Sequence, residues 1–165
     1  MKRCIFLLMI VFLLTGCSFQ ETLETVLDDN VAPVMATTKQ LVFSLPEDAA
    51  VPSMESDGGM IYLCDDYTLT VQTLASGDLD RTLRQITGFE KDALLVMETN
   101  QNGIKRYECA WAAAGESEEQ VGRAVVLDDG VYHHVITVMS GYSNVADLTS
   151  EWTHILSSAT LVNTD

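Results

Sequence analysis

The stretch NGIKRYECAWAAAGESEEQVGRAVVLDDGVYHHVITVM, residues 102–139, decides the fold. It opens on Asn102-Gly103, a pair suited to a type I′ hairpin turn because both central positions of that turn take positive φ. Ile104 to Ala113 then carries Tyr107, Cys109 and Trp111 at alternate positions, the period of a strand with one face toward a core. Gly115-Glu116-Ser117-Glu118 interrupts the run and Gln120 to Leu127 resumes it. Asp128-Asp129-Gly130 turns the chain into Val131 to Met139. Strands joined by such short turns pair antiparallel.

Upstream, Leu94 to Thr99 is the strand that enters the Asn102-Gly103 hairpin. Met60 to Cys64 and Tyr67 to Leu74 read as two more strands around an Asp65-Asp66 turn, with Tyr67, Leu69, Val71 and Thr73 on one face of the second. Gln40 to Leu45 reads as a first strand stopped by Pro46, and Glu47 to Gly59 as a loop. Between the strands, Leu79, Leu83 and Ile86 recur at helical spacing. Asp78 before them is a good N-cap, since its carboxylate accepts from free N–H groups, and Gly88 is a stop. Downstream, Ser143 or Asn144 caps a helix whose apolar stripe is Val145, Leu148, Trp152 and Ile155, and Leu161 marks a short terminal strand. The expected fold is α+β: an antiparallel sheet with two amphipathic helices packed on one face, a two-layer sandwich.

The order of elements from Asn102-Gly103 through Asp128-Asp129-Gly130 to LTSEWTHILSSATL, residues 148–161, resembles the C-terminal half of PsbP-like domains. These are antiparallel-sheet sandwiches of the photosystem II extrinsic protein, a nuclear Ran-binding protein and many bacterial lipoproteins. The likeness covers about residues 40–162 and rests on element order and the Trp-bearing helix. It implies a binding or accessory role. Because such domains share no common catalytic site, it carries over no functional residue.

The N-terminus points to an address. Met1, Lys2 and Arg3 precede the apolar run IFLLMIVFLL, residues 5–14. A helix that crosses a bilayer needs about 20 apolar residues, whereas a signal-peptide h-region needs roughly 7–15. Leu14-Thr15-Gly16-Cys17 resembles the lipobox of bacterial lipoproteins, in which the cysteine sulfur takes a diacylglyceryl group and the chain is cut just before it. The chain is also similar to uncharacterised lipoproteins of gut Firmicutes. These resemblances imply a signal peptide over 1–16, a lipidated Cys17, an acidic tether over 17–40 and a single domain over 41–165. The expected location is the outer, extracytoplasmic face of the cell membrane, with the lipid anchor as the membrane contact. Two or three acyl chains anchor stably where one alone holds marginally.

Charge narrows the partners. Nine Lys and Arg stand against 24 Asp and Glu, a formal net charge of −15, and loss of Lys2 and Arg3 would make it about −17. Nucleic-acid binding depends on neutralising phosphates with basic side chains, so no nucleic-acid partner is expected. The same charge keeps the domain off anionic lipid. An unidentified protein partner remains.

Once Cys17 is lipidated and Cys4 removed, Cys64 and Cys109 are the free thiols of the exported chain. Oxidising surroundings permit a bridge, and both fall on predicted strands, so a Cys64–Cys109 disulfide is expected. The alternative is two buried free thiols acting as small hydrophobes. His133-His134 are adjacent on a strand, so their rings point to opposite faces and do not share a metal. His133 is expected in solvent and His134 half-buried. His154 lies on the last helix without ligand spacing, so no metal site and no cofactor is expected. Asp65-Asp66 and Asp128-Asp129 read as turn residues, because a calcium site needs six to eight oxygens. No Gly-x-Ser-x-Gly elbow is present, and Tyr107, Trp111, Tyr132 and Trp152 read as core. The expected function is a lipid-anchored extracytoplasmic accessory or binding protein with no catalytic activity. The alternative is a lipoprotein that captures a small molecule or metal ion between sheet and helices, which requires a pocket of several hundred Å³.

Overall fold

The computed structural model describes residues 39–49, 51–56, 59–115 and 118–164. The signal peptide, Cys17 and all of the expected tether up to residue 38 lie outside the described residues.

The strands are β1 (Lys39–Val42), β2 (Met54–Ser56), β3 (Gly59–Leu63), β4 (Thr68–Ala75), β5 (Leu95–Gln101), β6 (Ile104–Ala114), β7 (Glu119–Asp128), β8 (Tyr132–Gly141) and β9 (Thr160–Asn163). The helices are α1 (Leu79–Thr87) and α2 (Val145–Ser158). Seven strands form one sheet in the order β2-β3-β4-β8-β7-β6-β5, and every pair in it is antiparallel. β1 and β9 form a separate antiparallel ribbon. The β5–β6 turn is the predicted one: Asn102 and Gly103 take φ of 54° and 80°, the left-handed region that this turn demands.

The helices do not share a face. Trp152, Leu148, Ile155 and Leu156 of α2 pack with Leu69 and Val71 of β4, Val125 and Leu127 of β7, and Ile136 and Val138 of β8. Leu83 of α1 packs with Tyr107, Cys109 and Trp111 of β6, Ala124 and Val126 of β7, and Val135 of β8. Val125 and Leu127 therefore point one way and Ala124 and Val126 the other. The expected two-layer sandwich is corrected to three layers: α1, then the sheet, then α2 with the β1–β9 ribbon. The physical reason lies in β7 and β8. Ala124 to Leu127 and His133 to Ile136 are buried without alternation, the mark of strands covered on both faces.

Each helix end has its partner. Asp78 accepts from the N–H groups of Asp80 and Arg81 at 3.0 and 3.3 Å, and α1 ends at Gly88. The expected side-chain cap of α2 is absent: neither Ser143 nor Asn144 caps it, and the Glu118 carboxylate accepts from the Ser143 N–H at 3.2 Å instead. At the other end the Arg106 guanidinium donates to the carbonyls of Leu156 at 2.7 Å and Ala159 at 3.1 Å. A cation there complements both the orphan carbonyls and the helix dipole. Trp111 lies flat over Gly122 of the next strand, where a Cβ would stand 2.3 Å from the ring.

Candidate functional site

The residues with most chemistry gather where the β7–β8 turn meets α1. Asp128 and Asp129 make this turn, as expected of turn residues. Asp128 Oδ1 accepts from the Gly130 N–H at 2.8 Å, and Asp129 Oδ1 accepts from the N–H groups of Val131 and Tyr132. Both histidines that follow are buried, His133 to 1 % and His134 to 4 % exposure. This corrects the expectation of a solvated His133, because α1 covers that face. The rings do point to opposite faces. His133 Nδ1 is 2.7 Å from the Thr82 hydroxyl of α1, and its Nε2 is 3.8 Å from Asp128. His134 Nε2 is 3.1 Å from Asp129 Oδ2. Burial lowers the pKa of His133 against the opposing pull of Asp128 and Asp129. Burial alone would raise Asp129, but the N–H groups of Tyr132 and Val131 and the His134 ring outweigh it and hold the carboxyl below its usual range.

Thr82, His133 and Asp128 form a hydroxyl–imidazole–carboxylate row. Nucleophilic catalysis needs that row open to a substrate. Thr82 is only 3 % exposed and faces the sheet, so the row joins helix to sheet and offers no reacting atom. Among the described residues no group of three or more His, Cys, Asp or Glu side chains is placed to hold a metal ion.

The cysteines correct a further expectation. Both Cys64 and Cys109 are free thiols. Cys64 packs on the α2 side of the sheet and Cys109 belongs to the α1 side. Three strands stand between β3 and β6, and the four inter-strand spacings of about 4.8 Å make roughly 19 Å. A bridge needs Cα atoms within about 7 Å. Burial pushes the Cys109 thiol up to about 11 and raises Cys64 as well, so neither is poised as a nucleophile.

The aromatics mostly line the interior, as expected. Trp152 is fully buried, edge-on to Tyr67 with ring centroids 6.2 Å apart, and the Tyr67 hydroxyl donates to Glu151 at 2.8 Å. Tyr132 is the exception, largely exposed beside His134. The space between α2 and the sheet is filled by Trp152, Leu69, Val125, Ile136 and Ile155, all essentially inaccessible. Three hollows at the surface hold about 170, 120 and 220 Å³, below the roughly 300–1,000 Å³ of a typical ligand pocket. The first is walled by Arg106, whose guanidinium is already committed to Leu156, Ala159 and Glu108.

The fold leaves apolar surface uncovered on both faces of the sheet. Leu95 and Met97 of β5 are 82 % and 58 % exposed. They pair with Ala110 and Glu108 and share the α2 side with Arg106. Leu63 and Met139 lie on the α1 side, in one cross-strand row with Thr68, Gly122 and Trp111. No sequence period marks these positions, because their exposure depends on where two helices stop.

No protein-family model matches the chain, and no curated protein matches it in sequence. Solved structures do match in fold. The solution structure of cyanobacterial PsbP (CyanoP) from Synechocystis sp. PCC 6803 superposes with a TM-score of 0.53 at 13 % identity, over 79 % of this chain and 96 % of that one. LpqN, involved in cell envelope biogenesis of Mycobacterium tuberculosis, gives 0.49 at 10 % identity, over 77 % and 86 %. The Saccharomyces cerevisiae Ran-binding protein Mog1p gives 0.46 at 12 %, over 77 % and 97 %. The fold is thus similar to that of PsbP.

Proposed function

We propose that this chain is a lipoprotein held at the outer face of the cell membrane through Cys17, serving as an accessory protein that binds another protein and catalyses nothing itself. The observation that carries the reading is the filled interior. Trp152, Leu69, Val125 and Ile136 occupy the space where a captured ligand would sit, and the single hydroxyl–imidazole–carboxylate row among the described residues is shut between α1 and the sheet. Among the described residues the space under α2 is filled and this row is closed, which supports a role carried by the surface. The anchor rests on Leu14-Thr15-Gly16-Cys17 behind the short apolar run. The strong negative charge supports a protein partner over a nucleic acid or a lipid headgroup layer. Among the described residues no helix is long and apolar enough to cross a membrane, so attachment falls to the acyl group.

The test is metabolic labelling with a fatty acid in a bacterial host. The wild-type chain should take up label and fractionate with membranes, and Cys17→Ser should lose both. Label retained on Cys17→Ser would overturn the anchor. A saturable, stoichiometric small-molecule ligand that Trp152 contacts would overturn the accessory reading.

A further inference from the structure

We infer that α1 is a pH-sensitive latch: the neutral form of His133 holds it on the sheet, and protonation of that imidazole releases it. Little else holds α1. It has nine residues, and isolated helices shorter than about 12–15 residues are marginal in water. Leu83 is its one fully buried apolar side chain, with Leu79 and Ile86 partly buried beside it. Among the described residues its side-chain hydrogen bond to the sheet is the one between Thr82 and His133, 2.7 Å long with both residues buried.

That bond suits a neutral ring. In the Nε2–H tautomer, whose hydrogen faces Asp128 Oδ2 at 3.8 Å, the Thr82 hydroxyl donates to Nδ1 at 2.7 Å. In that tautomer a second proton goes to Nδ1, where it meets the hydroxyl hydrogen, so Thr82 has to turn or withdraw. The charge would also be buried, and every group that faces it counts. Asp128 and Asp129 from the turn and Asp78 from the N-cap of α1 favour it, while His134 from β8 opposes it. Asp128 is beyond hydrogen-bond reach, and Asp129 is occupied by two backbone N–H groups and His134. Burial prevails, and the docked ring takes its proton at lower pH than a free one. A released ring binds a proton near pH 6.5. The latch therefore holds fully above about pH 6.5 and weakens as pH falls toward the docked value. With one proton involved, the ratio of released to docked helix rises up to about tenfold per pH unit. Release uncovers Tyr107, Trp111, Val126 and Val135. On the α2 face the buried imidazole, His134, pairs with Asp129 of its own turn and not with α2, whose His154 is exposed.

The test is amide hydrogen exchange on the full chain from pH 7.5 to 5, corrected for intrinsic rates. Protection over Thr82–Thr87 should fall up to about tenfold per pH unit below about 6.5, and at every pH it should stay below that of Trp152–Leu156. His133→Asn keeps a polar atom near Thr82 without a titrating group and should flatten the slope. The His133 ring, followed by NMR in the wild type, should titrate clearly below 6.5. Protection of α1 that is flat with pH in the wild type, the same slope in His133→Asn, or a ring titrating at or above 6.5 would each overturn the latch. If His133→Asn does not fold, the wild-type exchange and ring titration decide.

Discussion

On one side of the sheet, α2 runs for 14 residues and buries Leu148, Trp152, Ile155 and Leu156. On the other, α1 runs for nine and buries one apolar side chain, Leu83, between Thr82 and Thr87. Full burial of a large apolar side chain is worth about 1.5–3 kcal/mol, so α2 itself contributes more hydrophobic stabilisation than α1. The polar contacts differ in burial. The α1 side relies on a buried hydroxyl–imidazole pair, whereas α2 is met by Glu118 and Arg106 at its ends and by Tyr67 and Arg123 along its length, in contacts that are part-buried or exposed. Two helices of one small domain are thus held by different physics: one chiefly by buried area, and one by a bond to a buried imidazole.

The sharpest way to break this contrast is at its centre. Trp152→Ala should cost about 3–5 kcal/mol, the usual range for a fully buried large aromatic. That is a large part of the roughly 5–15 kcal/mol holding a domain together. Urea midpoints read it, and an unchanged midpoint would mean that α2 is no seal. On the opposite side, Thr82→Val preserves shape but leaves His133 Nδ1 buried without a donor. Such a loss costs about 1–3 kcal/mol, so the midpoint should move less than for Trp152→Ala. Equal effects would erase the distinction between the two sides.

The parts of this picture legible in the sequence are those set locally. Alternation from Tyr67 to Leu74, the Asn102-Gly103 turn, the Asp78 cap and the Trp152 stripe each follow from residues within a few positions of one another. The side on which each helix packs does not. Its trace was the unbroken Ala124-Val125-Val126-Leu127 run, which reads as a strand buried on both faces. Burial of His133 likewise depends on α1, some 50 residues away. The β1–β9 ribbon joins the two ends of the described chain, and the three-residue β2 is too short to show a period. Of the candidate site, the turn role of Asp128 and Asp129 was readable from their chemistry. The separation of Cys64 from Cys109 was not, since it depends on the strand order β3-β4-β8-β7-β6.

Native-state hydrogen exchange at pH 7 in low urea tests the contrast most directly. Regions held by little buried surface open below the global unfolding free energy. Amides of Thr82–Thr87 should exchange through a sub-global opening while those of Trp152–Leu156 exchange only with global unfolding. If both helices exchange through one common transition, or if α1 outlasts α2, the account is contradicted.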